Sequence, residues 1–102
     1  MLCLPMPDGA VAGGYFMTGN TLHEFCKTDS PVVLGFVMGV SDLHTLYETS
    51  MDSKVSVCFP QGVTGRQEVD VACKYLADNP DVRNQAASGL AIVAFSHAWP
   101  CS

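Results

Sequence analysis

The segment TGRQEVDVACKYLADNP, residues 64–80, carries a start signal, one apolar face and a stop signal for a single helix. Thr64 stands three residues before Gln67, so its hydroxyl can accept from the Gln67 amide while the glutamine side chain reaches back, the reciprocal arrangement of a capping box. Val69, Ala72, Cys73 and Leu76 recur at helical spacing and form the face to be buried. Asn79 and Pro80 break the helix near Asp78, because proline has no N–H with which to continue the ladder.

Working outward in both directions, Pro and Gly divide the rest of the chain. Downstream, Asn79-Pro80 opens a fourth helix whose face is Ala87, Leu90, Ala91, Ala94 and Ala98, closed by Pro100. Such small side chains imply tight packing against a bulkier neighbour. Upstream, Thr49 to Gly62 reads as the longest loop. Before it, Ser30 caps and Pro31 opens a second helix that runs to about Tyr47. Its expected core stripe is Phe36, Val40, Leu43 and Tyr47, and Gly35 with Gly39 leaves a shallow groove where another backbone can approach. The valines at 32, 33, 37 and 40 also suit a strand, but length and period favour helix. A short first helix spans Thr18 to Lys27, with Leu22, Phe25 and Cys26 on one face and Thr21 with Glu24 as its capping box. Residues 1–17 read as irregular and residues 18–102 as one helical domain. The expected fold is all-α, a small four-helix bundle-like domain of antiparallel type.

A chain of 102 residues, 48% apolar and 15% charged, is one globular domain. Its net charge is −5, and its basic residues Lys27, Lys54, Arg66, Lys74 and Arg83 are scattered. Nucleic acid is therefore excluded as a partner, since phosphate binding needs a basic stripe. An acidic surface suits a basic protein partner, though solubility alone explains it equally well. The longest apolar run, Pro31 to Val40, falls well short of the roughly 20 residues that span a membrane. Met1 to Gly14 reads poorly as a signal peptide, because Pro5, Pro7 and Asp8 interrupt it and no basic region leads it.

Five cysteines, Cys3, Cys26, Cys58, Cys73 and Cys101, include no C-x-x-C pair, so disulfides are a better account than zinc or thiol redox chemistry. That implies the periplasm or the cell exterior. If the third helix runs up and the fourth down, Cys58 and Cys101 meet at one side of the molecule. Cys26 ends the first helix at the other side, where Cys73 is its mate, and Cys3 is left over.

The succession Gly19-Asn20-x-Leu22-x-x-x-Cys26, Gly35-Phe36-x-x-Gly39-Val40-x-Asp42, Cys58-x-Pro60-x-Gly62-Val63-Thr64-x-x-Gln67, Tyr75-Leu76 with Pro80, and Trp99-Pro100-Cys101 resembles the type VI secretion amidase immunity (Tai) and resistance-associated (Rap) proteins of Gram-negative bacteria. The resemblance covers residues 18–101. It implies a periplasmic helical protein, often a homodimer, that blocks a peptidoglycan-cleaving amidase toxin by placing a loop in its catalytic cleft. It also marks Gly35, Gly39, Asp42, Pro60, Gly62, Thr64 and Gln67 as structural motif residues. The family commonly has a cysteine where Val33 stands, and Cys73 takes over its role.

No residue set points to catalysis or to a cofactor. His23 and Cys26 at i, i+3 are too few for a metal, and His44 and His97 stand isolated on their helices. A cysteine hydrolase would need Cys58 or Cys73 as nucleophile with His97 as base, and nothing is placed to orient that base. Asp42 and Asp70 form no catalytic pair, Asp42 reading as a polar contact near the end of the second helix. Two partner-binding loops come forward: Asp78-Asn79-Pro80-Asp81, acidic and stiffened by proline, and Glu48 to Ser56. The first serves equally well as a plain helix-helix turn. An acid-stress or general periplasmic chaperone of similar fold is the alternative to an inhibitor. Thiol titration of the unreduced protein should find one free group; five would remove the cross-linked, exported reading.

Overall fold

The computed structural model describes residues 14–50 and 57–101. Within them α1 is Gly19–Lys27, α2 is Pro31–Ser50, α3 is Gly65–Asp78 and α4 is Ala87–Ala98, with a 3₁₀ turn at Pro80–Val82 between the last two helices. Cys3 and residues 51–56 of the second candidate loop lie outside the described residues. No helix among the described residues is long and apolar enough to cross a membrane.

The capping box of α3 forms as its residues dictate: the Gln67 amide donates to Thr64 Oγ1 at 3.1 Å and the Thr64 amide to Gln67 Oε1 at 2.8 Å. Pro60 and Gly62 shape the approach to it. Val63 N–H donates to the Pro60 carbonyl at 3.3 Å, and Gly62 takes φ +90°, which a side chain would oppose. At α1 the cap is Thr18 rather than Thr21: Thr18 is extended, and its hydroxyl accepts from the Thr21 amide at 3.3 Å. Thr21 already lies inside the helix, and Glu24 pairs with Lys27 at 3.0 Å instead.

Both cross-links expected from the topology are present, with Cα separations of 5.8 Å for Cys26–Cys73 and 5.1 Å for Cys58–Cys101. The first ties α1 to α3. The second ties the approach to α3 to the segment after α4, beside a hydrogen bond from Cys58 N–H to the Trp99 carbonyl at 2.9 Å.

Leu22, Val33, Val37, Leu76 and Phe95 are the largest wholly buried side chains. On α3, Val69, Ala72 and Leu76 are buried as expected, with Cys73 packed at their edge. On α4 the alanines 87, 91 and 94 do face inward, but the centre of that face is Phe95, and Ala98 is exposed. Phe95 packs against Phe59 and Trp99, with centroids 5.6 and 6.0 Å away. It is the bulky partner that the small residues surround.

The core face of α2 differs from the expected stripe. Val33, Val37 and Ser41 are buried, Phe36 and Val40 are partly covered, and Leu43 and Tyr47 are 55% and 50% exposed. The helix is apolar all round from Val32 to Val40, so period alone does not select a face. A polar contact does, the Ser41 hydroxyl donating to Glu68 Oε1 in the first turn of α3. Among the described residues no atom lies within 4 Å of a Cβ added at Gly35 or Gly39, and the expected groove receives no backbone from them. Asp42 lies exposed in mid-helix, not near its end, because α2 continues to Ser50.

The fourth helix starts at Ala87 rather than at Pro80. Residues 83–86 first meet the start of α1: Gly19 N–H donates to the Gln85 carbonyl at 2.8 Å, Asn20 N–H to the Arg83 carbonyl at 2.7 Å and Ala87 N–H to the Met17 carbonyl at 2.9 Å. The free amides that open α1 are thereby satisfied by backbone. A Cβ on Gly19 would lie 2.9 Å from the Arg83 oxygen, so the approach requires glycine. Replacing Phe95 by alanine should cost about 3 to 5 kcal/mol in urea unfolding, since it removes the largest of the wholly buried side chains among the described residues.

Candidate partner-binding surface

Asp78, Asn79, Pro80 and Asp81 lie together on one edge, where α3 ends. The Asn79 side chain donates to the Tyr75 carbonyl at 2.9 Å and closes the helix, and Lys74 Nζ pairs with Asp78 Oδ2 at 2.7 Å. The hydrogen bond and charge of Asp78 raise the Lys74 pKa above its ordinary value. Pro80 then starts the 3₁₀ turn, whose Val82 N–H donates to the Asn79 carbonyl at 3.3 Å. The loop is held from both ends while Asp78, Pro80 and Asp81 stay exposed.

Behind it lies a groove of about 280 Å³, with Val71, Tyr75, Asn79, Ala94 and His97 among its walls. Tyr75 and His97 meet edge to face at 5.9 Å. His97, expected to be isolated, is therefore part of this surface. No local pattern announces the groove, because its walls come from two helices that meet only in the fold.

A second cleft of about 240 Å³ opens between α2 and α4, lined by Val40, Leu43, His44, Tyr47, Gly89 and Ile92 among others. His44 Nε2 lies 2.6 Å from Glu48 Oε1, an i, i+4 pair that spacing could have revealed. The other sequence-derived residues do not converge: Gly35, Gly39 and Asp42 lie on α2, whereas Pro60, Gly62, Thr64 and Gln67 shape the start of α3.

Reactive chemistry finds no support in this geometry. Cys58 and Cys73 are both in disulfides, so neither offers a thiolate to His97, and Cys26 cannot join His23 on a metal. Among the described residues no group of three or more His, Cys, Asp or Glu could hold a metal ion. Burial first, then the Arg83 and Lys27 charges, hold His23 below the usual imidazole pKa.

What remains is a cross-linked helical scaffold that presents loops and grooves. The family model for Rap1a immunity proteins matches residues 18–101. The chain belongs to this family. No curated protein and no solved structure matches it. As a Rap1a immunity protein it acts by binding a secreted effector protein, and the family is generally non-enzymatic. Asn79→Ala, which leaves the Tyr75 carbonyl without its donor, should lower the unfolding free energy by about 1 kcal/mol in urea titration.

Proposed function

We propose that this Rap1a immunity protein is a periplasmic, stoichiometric inhibitor of a type VI secreted peptidoglycan amidase, that it works as a homodimer, and that it occludes the toxin's cleft with the 78–81 loop. The observation that carries the reading is that loop: exposed, acidic, tied at both ends and backed by a groove. A segment already held in one conformation loses little entropy on entering a cleft, so more of the contact energy appears as affinity. Acidic side chains there also steer it toward a basic cleft.

The amidase assignment draws on the family membership together with the motif succession that resembles the amidase immunity proteins. Two disulfides support the periplasm, since such bonds form and persist in oxidising compartments. Without a free thiol or metal cluster at the described surface, occlusion is the mechanism that the residues can perform.

The test is the double variant Asp78→Lys, Asp81→Lys, titrated calorimetrically against the secreted effector whose gene neighbours this one. Affinity should fall by at least about tenfold, or roughly 1.4 kcal/mol. The melting temperature should stay unchanged, because both carboxylates are exposed and the Lys74–Asp78 pair contributes little in water. Unaltered affinity would remove this loop from the interface.

A further inference from the structure

The groove behind the 78–81 loop lies between α3 and α4, and its walls carry three kinds of chemistry. Val71, Ala94 and Ala98 supply an apolar lining. Tyr75 and His97, whose rings stand at 73° to each other, supply an aromatic corner. Asp78 and Asn79, where the groove meets the loop, supply oxygen, and each has an acceptor left over. Lys74 takes only Oδ2 of Asp78, and Asn79 gives its amide N–H to the Tyr75 carbonyl, so Asp78 Oδ1 and Asn79 Oδ1 have no donor among the described residues.

We infer that this groove seats an arginine side chain from the rim of the effector's cleft. The inference rests on the reading of this edge as the effector-binding edge, and it names the partner group that the groove takes. A loop that enters a cleft brings the surface behind it down onto the cleft's rim. At about 280 Å³ the groove falls just short of the roughly 300 Å³ at which small-molecule sites begin, so its occupant is a side chain and not a cofactor. An apolar side chain would strip water from the two spare acceptors and give nothing in return, and an acidic one would meet Asp78 and Asp81. Arginine suits all three walls at once: its stem lies on the apolar lining, its planar guanidinium on a ring face, and its fork of N–H groups reaches the two oxygens. Lysine brings a compact, strongly hydrated charge that stacks less well.

Charge fits a cation even though Lys74 stands beside the groove. Asp78 holds that ammonium at 2.7 Å, and a carboxylate can accept from two cations through its two oxygens. Asp81, two residues past Asn79, has no ion-pair partner among the described residues. The edge formed by Lys74, Asp78 and Asp81 is thus left with one unopposed negative charge, on a chain whose net charge is −5.

Calorimetric titration of the unreduced protein against the secreted effector encoded beside it tests this. Ala98→Trp, which fills the groove from an exposed position at the end of α4, should weaken binding at least about tenfold while the thermal melt stays unchanged. Tyr75→Leu keeps an apolar side chain against the core but removes the aromatic face, and should weaken binding at least about threefold, whereas Tyr75→Phe should bind as the wild type does. With phenylglyoxal, which modifies arginine, one effector arginine should be shielded in the saturated wild-type complex and become reactive in the saturated Ala98→Trp complex. Wild-type affinity in Tyr75→Leu or in a folded Ala98→Trp, a loss in Tyr75→Phe equal to that in Tyr75→Leu, or the lack of any arginine whose shielding depends on position 98 would each overturn the inference. Asp81→Lys, outside the groove walls, reads the loop separately: a loss of affinity there with the groove variants unaffected removes the groove alone and leaves the loop reading standing.

Discussion

A core built mainly of alanine and valine gains less per residue from burial than one of leucine and phenylalanine, so here two disulfides share the work of holding the helices together. Ala72, Ala87, Ala91 and Ala94 each remove little apolar surface from water, and at about 0.8 kcal/mol per buried CH₂ most of the gain comes from Val33, Val37, Val57 and Val69 and from the larger Leu22, Leu76, Leu90 and Phe95. A domain this small sits where such gains barely exceed the entropy of ordering the chain. The two cross-links shift that balance from the other side by restricting the unfolded ensemble. Helix positions, groove walls and the held loop all follow from that stitched framework.

Legibility in the sequence tracked how many independent signals each element carries. For α3 the cap, stripe and stop agree, and its bounds were readable to within a residue or so. The cysteine pairing was readable because helix order places four sulfurs at two ends. For α2 the existence of the helix was clear but its orientation was not, since a segment apolar on every side has no preferred face until Ser41 meets Glu68. On α4 a run of alanines disguised Phe95; its partner Trp99 lies four residues on, within reach of helical spacing, whereas Phe59 is brought to it only by the fold.

The candidate site divides the same way. Residues 78–81 stood out as a polar, proline-bearing link between helices, a purely local property. The Tyr75–His97 wall behind them is non-local, as is the cleft beside His44. The family adds what local chemistry lacks, namely that the protein's work is done by contact with a secreted effector. A rigid scaffold suits that work, because a loop held in place beforehand meets its target with its ordering cost already met.

The meeting of Gly19 with the Arg83 carbonyl also limits how this protein can evolve. Most steric conflicts can be relieved by a compensating change in the opposing side chain, but here two of the three nearest opposing atoms, the Arg83 oxygen and Cα, belong to the main chain and are the same for every residue type. Trimming Leu90 would still leave the Arg83 backbone in the way. Sequence drift is therefore expected to spare position 19 while the surrounding side chains turn over, leaving it as a fixed reference point from which distant relatives can be placed in register.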